Sequence, residues 1–178
     1  MRIEPATGDD VDALVEQWVA LAETQREHGS HIGASSNRET VRPLLSHHVV
    51  AGSVLVARAE ESGDVGGGER GILGFTNFGI EEGALDADAV RGIVYNLYVV
   101  AEARGEGVGS ALLDAAEDAL IERGADVLAI EALWANEDAR RLYEERGYEP
   151  HRVQFERAVG GGEHSEGGKS DTNTKDGA

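Results

Sequence analysis

The feature that most constrains the fold is a glycine-rich turn, Arg104–Gly109, which lies between an apolar run and an amphipathic run. The apolar run, Ile93–Val100, predicts a buried strand, and the pattern over Ala111–Leu120 has helical spacing. Glycine lets the backbone approach a ligand closely, and the unpaired N–H groups in the first turn of a helix attract anions. The sequence therefore predicts a strand, turn and helix that together bind a phosphorylated ligand.

The spacing within this turn does not match two common phosphate-binding motifs. A P-loop ends in Gly-Lys-Ser/Thr, and a dinucleotide-binding turn requires a glycine where this chain has Ser110. The turn instead resembles the pyrophosphate-binding motif of the GCN5-related N-acetyltransferase (GNAT) superfamily, Arg/Gln-x-x-Gly-x-Gly/Ala, filled here by Arg104, Gly107 and Gly109. A tight turn that only connects two packed elements is the alternative.

A second motif begins at Asn136, has Tyr143 in its middle and closes with Gly147 and Tyr148. An asparagine at the start and a glycine at the end predict a capped helix, here followed by a strand. The segment resembles the superfamily's other signature, Asn-x-x-Ala-x-x-Leu-Tyr-x-x-x-Gly-Phe/Tyr. Because both motifs occur in the expected order, the resemblance to the superfamily is stronger than either motif alone would make it.

The resemblance implies acetyl-CoA as the phosphorylated ligand. In the superfamily the pantetheine arm lies against the strand that corresponds to Ile93–Val100, where a bulge leaves backbone N–H groups free. The resemblance also implies that Asn136, besides capping its helix, bonds a pantetheine amide. Guanidinium groups suit phosphate oxygens, so Arg104 and either Arg140 or Arg141 are expected near the pyrophosphate. The cofactor-binding residues predicted in this way are Leu97, Tyr98, Val99, Arg104, Gly105, Gly107, Val108, Gly109, Ser110, Asn136 and Arg140.

Two residues are predicted to be catalytic, because direct acetyl transfer needs a base for the amine and an acid for the departing thiolate. Tyr143 occupies the superfamily's acid position, and the alternative is a tyrosine that only packs its ring beneath the sheet. Glu131 is the candidate base. Its spacing to Asn136 and Tyr143 resembles that of ribosomal-protein N-terminal-alanine acetyltransferases.

The assignment of Glu131 leaves alternatives open. A carboxylate inside a strand needs water or a partner, and an ion pair with Arg140, Arg141 or Arg146 would also satisfy it. The glutamate that many histone-type relatives carry on the preceding strand has no match here. Base catalysis can therefore fall to Glu131, to a chain of water molecules or to no residue.

The remaining patterns complete a layout of β-α-α-β-β-β-α-β-α-β, which fits the α/β (α+β) GNAT fold: a mixed, mostly antiparallel sheet with a splayed central strand pair. We expect one acetyltransferase domain over residues 1–159 and a disordered polar tail over residues 160–178. Apart from the motif helices, the predicted helices are Asp9–Glu27 and Arg38–His47. The predicted strands are Met1–Pro5, Val49–Ala59, Ile72–Ile80, Ile93–Val100, Val127–Leu133 and His151–Val159, with a flexible glycine connection at Gly66–Gly68.

The composition excludes several classes of protein. The chain has no cysteine, so disulfides, thiolate metal sites and a cysteine acyl intermediate are excluded. The net charge is −18, and the only lysines are Lys169 and Lys175, which favours a salt-adapted (halophilic) protein over one whose acidity attracts cationic substrates. No basic stripe predicts nucleic-acid binding, no apolar run predicts a membrane span or signal core, and no histidine spacing predicts a metal site. We expect a cytoplasmic location.

The function expected from the sequence is acetyl transfer from acetyl-CoA to a primary amine, either a protein N-terminus or a small molecule. The loop over Gly29–Asn37 is a candidate acceptor region, where Glu27, His28 and His31 can meet an amine. A non-catalytic acyl-CoA-binding regulatory module is the alternative, although it would need neither Tyr143 nor Glu131. A homodimer is compatible with the resemblance.

Overall fold

The computed structural model describes residues 1–60, 71–81 and 88–159. The predicted tail over residues 160–178 and the glycine connection at Gly66–Gly68 lie outside the described residues. The strands are β1 (Arg2–Pro5), β2 (Val54–Arg58), β3 (Ile72–Ile80), β4 (Arg91–Val99) and β5 (Val127–Ile130). The α-helices are α1 (Val11–Glu27), α2 (Arg38–Val50), α3 (Val108–Glu122) and α4 (Glu137–Glu145).

The five strands form one sheet in the order β1-β2-β3-β4-β5. β1 to β4 are antiparallel neighbours, whereas β5 runs parallel to β4 because α3 connects the two strands. A parallel neighbour requires a crossover helix, and the amphipathic run after the glycine turn supplies it. The structure thus confirms the mixed α+β sheet that was expected.

Helices cover both faces of the sheet. α1 and α2 pack Leu14 and Leu45 against Phe75 of β3, while α3 packs Leu113 and Leu120 against the opposite face, where Phe78 lies. The strands β2 and β3 are almost entirely buried, as expected for strands covered on both faces. The partly buried side chain of Trp18 packs against the α1 and α2 cluster.

An acid and an arginine fix the start of α1. The Asp10 carboxylate accepts hydrogen bonds from the Thr7 N–H at 2.8 Å and the Thr7 hydroxyl at 2.9 Å. The Arg58 guanidinium of β2 donates two further bonds to it, each 2.9 Å long. Burial alone would raise the pKa of Asp10, but these donors together hold it below its usual range. The contacts join the first helix to the sheet.

Two element boundaries differ from the predictions. α2 continues to Val50, so β2 begins at Val54 rather than near Val49. β5 ends at Ile130, so Glu131 lies one residue beyond the strand instead of within it. Apolar runs at an element boundary satisfy a buried helix turn as well as a strand, which is why the patterns placed both limits imprecisely.

The predicted strand over His151–Val159 is wrong, because these residues form no regular element. Alternating side chains suggested a strand, but strand formation requires a paired neighbour, and Phe155 is 91 % exposed. The segment reaches instead to the loop between α1 and α2, where Glu156 accepts a hydrogen bond from His31 at 3.1 Å.

Candidate active site

The sheet opens where β4 and β5 diverge. The last parallel pair joins Val94 to Ile130, whereas β4 continues to Val99 beside β3. The second half of β4 therefore has a neighbour on one side and a gap on the other. This gap is the splay that the predicted fold requires, and the predicted site residues lie around it.

A bulge in β4 lies at the beginning of the gap. Asn77 of β3 pairs with Asn96, but the next residue, Phe78, pairs with Val94, so Tyr95 is an extra residue in β4. A bulge of this kind bends a strand and increases its twist. The bend directs the end of β4 away from β5.

Beyond the bulge, alternate backbone groups of β4 point into the gap. In an antiparallel ladder, the backbone N–H and C=O groups of every second residue point to the same neighbouring strand. The Val100 N–H donates to the Leu73 carbonyl of β3 at 2.9 Å, so the backbone groups of Tyr98 also point toward β3. The backbone groups of Leu97 and Val99 point away from it. The Val99 carbonyl confirms this orientation, since it accepts a bond from the Arg104 side chain. Leu97 and Val99 therefore present backbone N–H groups to the gap, whereas the Tyr98 ring lies 6.4 Å from the Phe75 ring, centre to centre.

The glycine turn continues from this edge of the sheet into α3. Gly105 has a φ of 77° and Gly107 a φ of 82°, conformations that side chains rarely adopt. A Cβ atom at either position would meet nothing within 4 Å, so the surface of the turn is open to a ligand. Gly107 caps α3 without a side-chain hydrogen bond, which leaves the N–H groups of Val108, Gly109 and Ser110 directed outward. These donors suit phosphate oxygens.

Arg104 holds the beginning of the turn. Its Nε atom donates to the Val99 carbonyl at 3.1 Å, and its guanidinium carbon lies 5.9 Å from the centre of the Tyr98 ring. The residue is exposed, and its terminal amino groups make no hydrogen bond to any residue in the described ranges. Two donors of the guanidinium are thus available beside the open turn.

α4 begins on the other side of the gap. Asn136 caps the helix, because its side-chain oxygen accepts a bond from the Ala139 N–H at 3.1 Å. The predicted cap is confirmed. At the far end of α4, Arg146 donates to the Ser110 carbonyl at 3.0 Å and pairs with Asp114, while the Tyr148 hydroxyl donates to Glu117 at 2.9 Å. These bonds attach α4 to α3 and thereby fix the position of Tyr143.

Tyr143 packs into the cluster that α3 forms on the sheet. Its ring lies 6.0 Å from the Tyr148 ring, centre to centre, and is half-buried. Burial raises the pKa of Tyr143 to about 12. Among residues 1–60, 71–81 and 88–159 the Tyr143 hydroxyl has no hydrogen-bond partner. A protonated phenol with a free donor is what a general acid requires at neutral pH.

Glu131 lies beyond the end of β5 and is exposed. Leu128 and Ile130, the neighbouring strand residues, pack toward α3. The arginines considered as its partners bond elsewhere in the described structure: Arg141 pairs with Asp138 and Arg146 with Asp114. Glu131 has no ion pair within the described ranges, which leaves the carboxylate available to water or a substrate.

Arg140 has a different environment from the one expected. Its guanidinium carbon lies 4.2 Å from the centre of the Trp134 ring, and its buried Nε atom has no hydrogen-bond partner among the described residues. Trp134 itself is 71 % exposed in the loop before α4. No role was predicted for this tryptophan, and the available signal was a large aromatic residue two positions before a helix cap.

Sequence reasoning missed two asparagines beside the β4 bulge, although the resemblance had implied a bulge in this strand. Asn77 and Asn96 bond to each other across β3 and β4, and Tyr95 lies next to them with its ring 5.6 Å from that of His48. The available signal was a polar amide in the middle of each of two apolar runs. Amides are uncommon at such positions unless they are paired.

A family model describes the same layout. The model of the acetyltransferase (GNAT) family matches residues 16–148. The chain belongs to the GNAT acetyltransferase family. The matched range contains the β4 strand, the glycine turn and α4. Because the family is one of acetyltransferases, this GNAT protein is an acyltransferase.

Individual relatives agree with this family. The protein is 29 % identical over 149 residues to the uncharacterized N-acetyltransferase YhfO of Bacillus subtilis strain 168, an alignment that covers 84 % of this chain and 90 % of that protein. A solved GCN5-related N-acetyltransferase from Ralstonia eutropha has a TM-score of 0.67 and 24 % identity, covering 89 % of this chain and 99 % of that one. The NatC complex bound to Gag peptide and CoA contains a chain with a TM-score of 0.64 and 18 % identity, covering 85 % of this chain and 86 % of that one.

Two further findings concern the described residues alone. No helix among them is long and apolar enough to cross a bilayer. No group of three or more histidine or acidic side chains within residues 1–60, 71–81 and 88–159 is arranged to hold a metal ion.

Proposed function

We propose that this protein transfers an acetyl group from acetyl-CoA directly to a primary amine. The observation that carries the proposal is the set of donors along one edge of the gap. The outward N–H groups of Leu97 and Val99 are followed, after a short helical turn at Ala101–Ala103, by the open glycine turn and the first turn of α3. An extended ligand would meet the strand donors with its amide-containing arm and the turn donors with its pyrophosphate.

Within this proposal, the protein donors supply both binding and electrostatic stabilisation. A strand N–H directed at the thioester carbonyl would stabilise the negative charge that develops on its oxygen, an effect of about 3 kcal/mol per well-placed donor. Arg104, together with the N–H groups of Val108, Gly109 and Ser110, would bind the pyrophosphate. Asn136 and Arg140 lie across the gap and would contact the same ligand from α4.

Tyr143 is proposed to protonate the departing thiolate, and Glu131, directly or through water, to accept the proton that the amine loses. Tyr143 packs on the α3 side of the sheet, whereas Glu131 is exposed directly beyond the end of β5. This arrangement separates an acid for the leaving group from a base for the nucleophile.

The acceptor is proposed to be either a protein N-terminus or a small-molecule amine. The spacing of Glu131, Asn136 and Tyr143 favours the first class, and the NatC relative is a complex bound to a peptide and CoA. We also propose salt adaptation and a cytoplasmic location, the former because the net charge is −18 and high salt screens repulsion between distant carboxylates while short contacts to phosphate survive.

The test is calorimetric binding of acetyl-CoA in molar potassium chloride, followed by thiol release in the same buffer with N-terminal peptides and small amines. Micromolar binding accompanied by amine-dependent thiol release supports the proposal. A folded sample that does not bind acetyl-CoA would refute it. Binding without thiol release for any amine would refute the catalytic part.

A further inference from the structure

A pair of side-chain amides lies inside the sheet at the beginning of the gap. Asn96 of β4 donates from Nδ2 to the Oδ1 atom of Asn77 in β3, at 2.8 Å, and Asn77 is only 3 % exposed. Burying an amide is unfavourable unless it is hydrogen-bonded, and an apolar pair would fill the same positions more simply. Packing alone therefore does not explain why two amides occupy these positions.

The register places Asn96 at the point where β4 loses its second neighbour. Asn96 is the first residue after the bulge at Tyr95, and the pairing with β5 has ended two residues earlier at Val94. The Thr76 hydroxyl donates to the Asn96 carbonyl at 3.0 Å and fixes the backbone there. Asn96 thus lies on a rigid element at the edge of the gap.

The amide pair lies on the opposite face of the sheet from Tyr143. Asn77 alternates with Phe78, whose side chain packs toward α3, and it shares a face with Phe75, which packs toward α1 and α2. Because the two amides bond to each other, Asn96 lies on that face too. An amine that attacks the thioester from the side remote from Tyr143 would approach past Asn96.

Asn96 retains one unused acceptor. Its Nδ2 atom bonds to Asn77, whereas its Oδ1 atom accepts no hydrogen bond from any residue within the described ranges, and the residue is half-buried. A carbonyl oxygen can accept an N–H from a ligand without itself carrying charge.

We propose that Asn96 Oδ1 accepts a hydrogen bond from the acceptor amine and orients its lone pair toward the thioester, with Asn77 holding the carboxamide in place. This inference rests on the proposed function. In the step concerned, the N–C bond forms and the C–S bond breaks. The nitrogen loses one proton to Glu131 or water, and the thiolate gains one from Tyr143.

The neutral charge of the pair is suited to this task. A carboxylate at this position would favour the protonated ammonium, which cannot attack, whereas an amide oxygen accepts a hydrogen bond from the neutral amine. As the N–C bond forms, the nitrogen becomes positive and the hydrogen bond to Asn96 becomes charge-assisted. The interaction is therefore stronger in the transition state than in the ground state, which is the condition for a rate effect.

The first variant that tests this is Asn96→Ala. Hydrogen bonds to charged groups contribute about 1.5 to 3 kcal/mol, so we expect kcat/KM for the amine to fall about 10- to 100-fold. The dissociation constant of acetyl-CoA should stay within about twofold of the wild-type value. The probes are an alanine-initiated peptide and spermidine, with thiol release as the readout.

The matched control is Gln17→Leu. Gln17 is another buried amide on the α1 and α2 side, and its Nε2 atom donates to the Ile72 carbonyl at 2.9 Å. This variant should lose stability as a buried amide is removed, but it should keep the wild-type kcat/KM. An equal loss of kcat/KM in both variants would assign the effect to general loosening and overturn the inference.

A conservative variant separates positioning from packing. Asn96→Asp keeps an acceptor oxygen, and Asn77 can turn its amide to donate to the new carboxylate. We expect activity above that of Asn96→Ala, with the pH–rate profile displaced to higher pH because the carboxylate stabilises the bound ammonium. Rescue above the Asn96→Ala level at high pH, where the bound amine is neutral, supports positioning, whereas activity no higher than that of Asn96→Ala at every pH would overturn it.

The measurements distinguish a failure of the Asn96 inference from a failure of the proposed function. Wild-type protein that does not bind acetyl-CoA refutes the proposed function. Equal kcat/KM values for thiol release by the wild type and by Asn96→Ala would refute only the present inference. Wild-type protein that binds acetyl-CoA but releases no thiol with either amine counts against both.

Discussion

Replacement of Tyr143 by phenylalanine removes a single hydroxyl group, and we expect its loss to have little effect on the stability of the fold. The ring packs beside Tyr148 and against the α3 cluster, and phenylalanine keeps those contacts. Within the described residues the hydroxyl has no hydrogen-bond partner, so no protein bond is lost. We expect the free energy of unfolding to change by less than about 0.5 kcal/mol.

The expected effect on turnover is much larger. General acids contribute about 10²- to 10⁴-fold, and a thiolate, with an ordinary pKa of about 8.5, is already a fair leaving group near neutral pH. The low end of the range therefore applies, and Tyr143→Phe should lower kcat about 100-fold, equivalent to about 2.7 kcal/mol. Because burial raises the pKa of Tyr143 to about 12, the wild-type acid stays protonated, and this group should cause no alkaline loss of kcat below about pH 10.

The assay combines thiol release at saturating acetyl-CoA with calorimetric binding of the same ligand. Tyr148→Phe is the matched control, because it removes the neighbouring hydroxyl that donates to Glu117 at 2.9 Å. That variant should lose about 1 kcal/mol of stability, and it should keep most of its kcat because the bonds of Arg146 to Ser110 and Asp114 still attach α4 to α3. Turnover of Tyr143→Phe within twofold of wild type would refute the acid assignment, and so would an equal loss in the control.

Three other predictions concern the glycine turn, the ion pair at the start of α1 and the candidate base. Gly107→Ala should weaken acetyl-CoA binding at least tenfold, because a φ of 82° is unfavourable for alanine. The calorimetric control is Gly8→Ala, since Gly8 has open space around it and an ordinary φ. Asp10→Asn should lower the free energy of unfolding by about 3 kcal/mol in urea titrations, since it breaks the bidentate pair with Arg58. Because the pKa of Asp10 is lowered on folding, the wild type should lose this contribution as the pH falls below about 4, whereas the variant should show a smaller acid dependence. Glu131→Gln should shift the pH–rate profile to higher pH, and an unchanged profile would exclude that carboxylate as the base.

The sequence was most informative about the strand, turn and helix around Gly107. Apolar spacing, a glycine that alone tolerates positive φ, and the amphipathic run of α3 are all local properties, so each could be read without knowledge of distant contacts. The N-cap at Asn136 was predictable for the same reason, because it depends on groups only three residues apart.

Prediction failed where a partner decides the structure. The alternation of Val153 and Phe155 resembles that of a strand, yet the segment forms no strand with the other described residues and runs toward His31. The end of β5 at Ile130 and the position of the expected β4 bulge, at Tyr95, likewise depend on which residue lies opposite, and a linear pattern does not carry that information.

By itself, the sequence determined the glycine turn between a strand and a helix, because this follows from local propensity, and its two motifs carried the family resemblance that implied the mixed sheet and the candidate acid. Only the tertiary structure decided which backbone N–H groups of β4 face the gap, how Arg146 and Tyr148 attach α4 to α3, and that Asn77 and Asn96 meet across the sheet. The physical reason is that hydrogen-bond direction, burial and pKa depend on groups that are 19 to 36 residues apart along the chain and become neighbours only on folding.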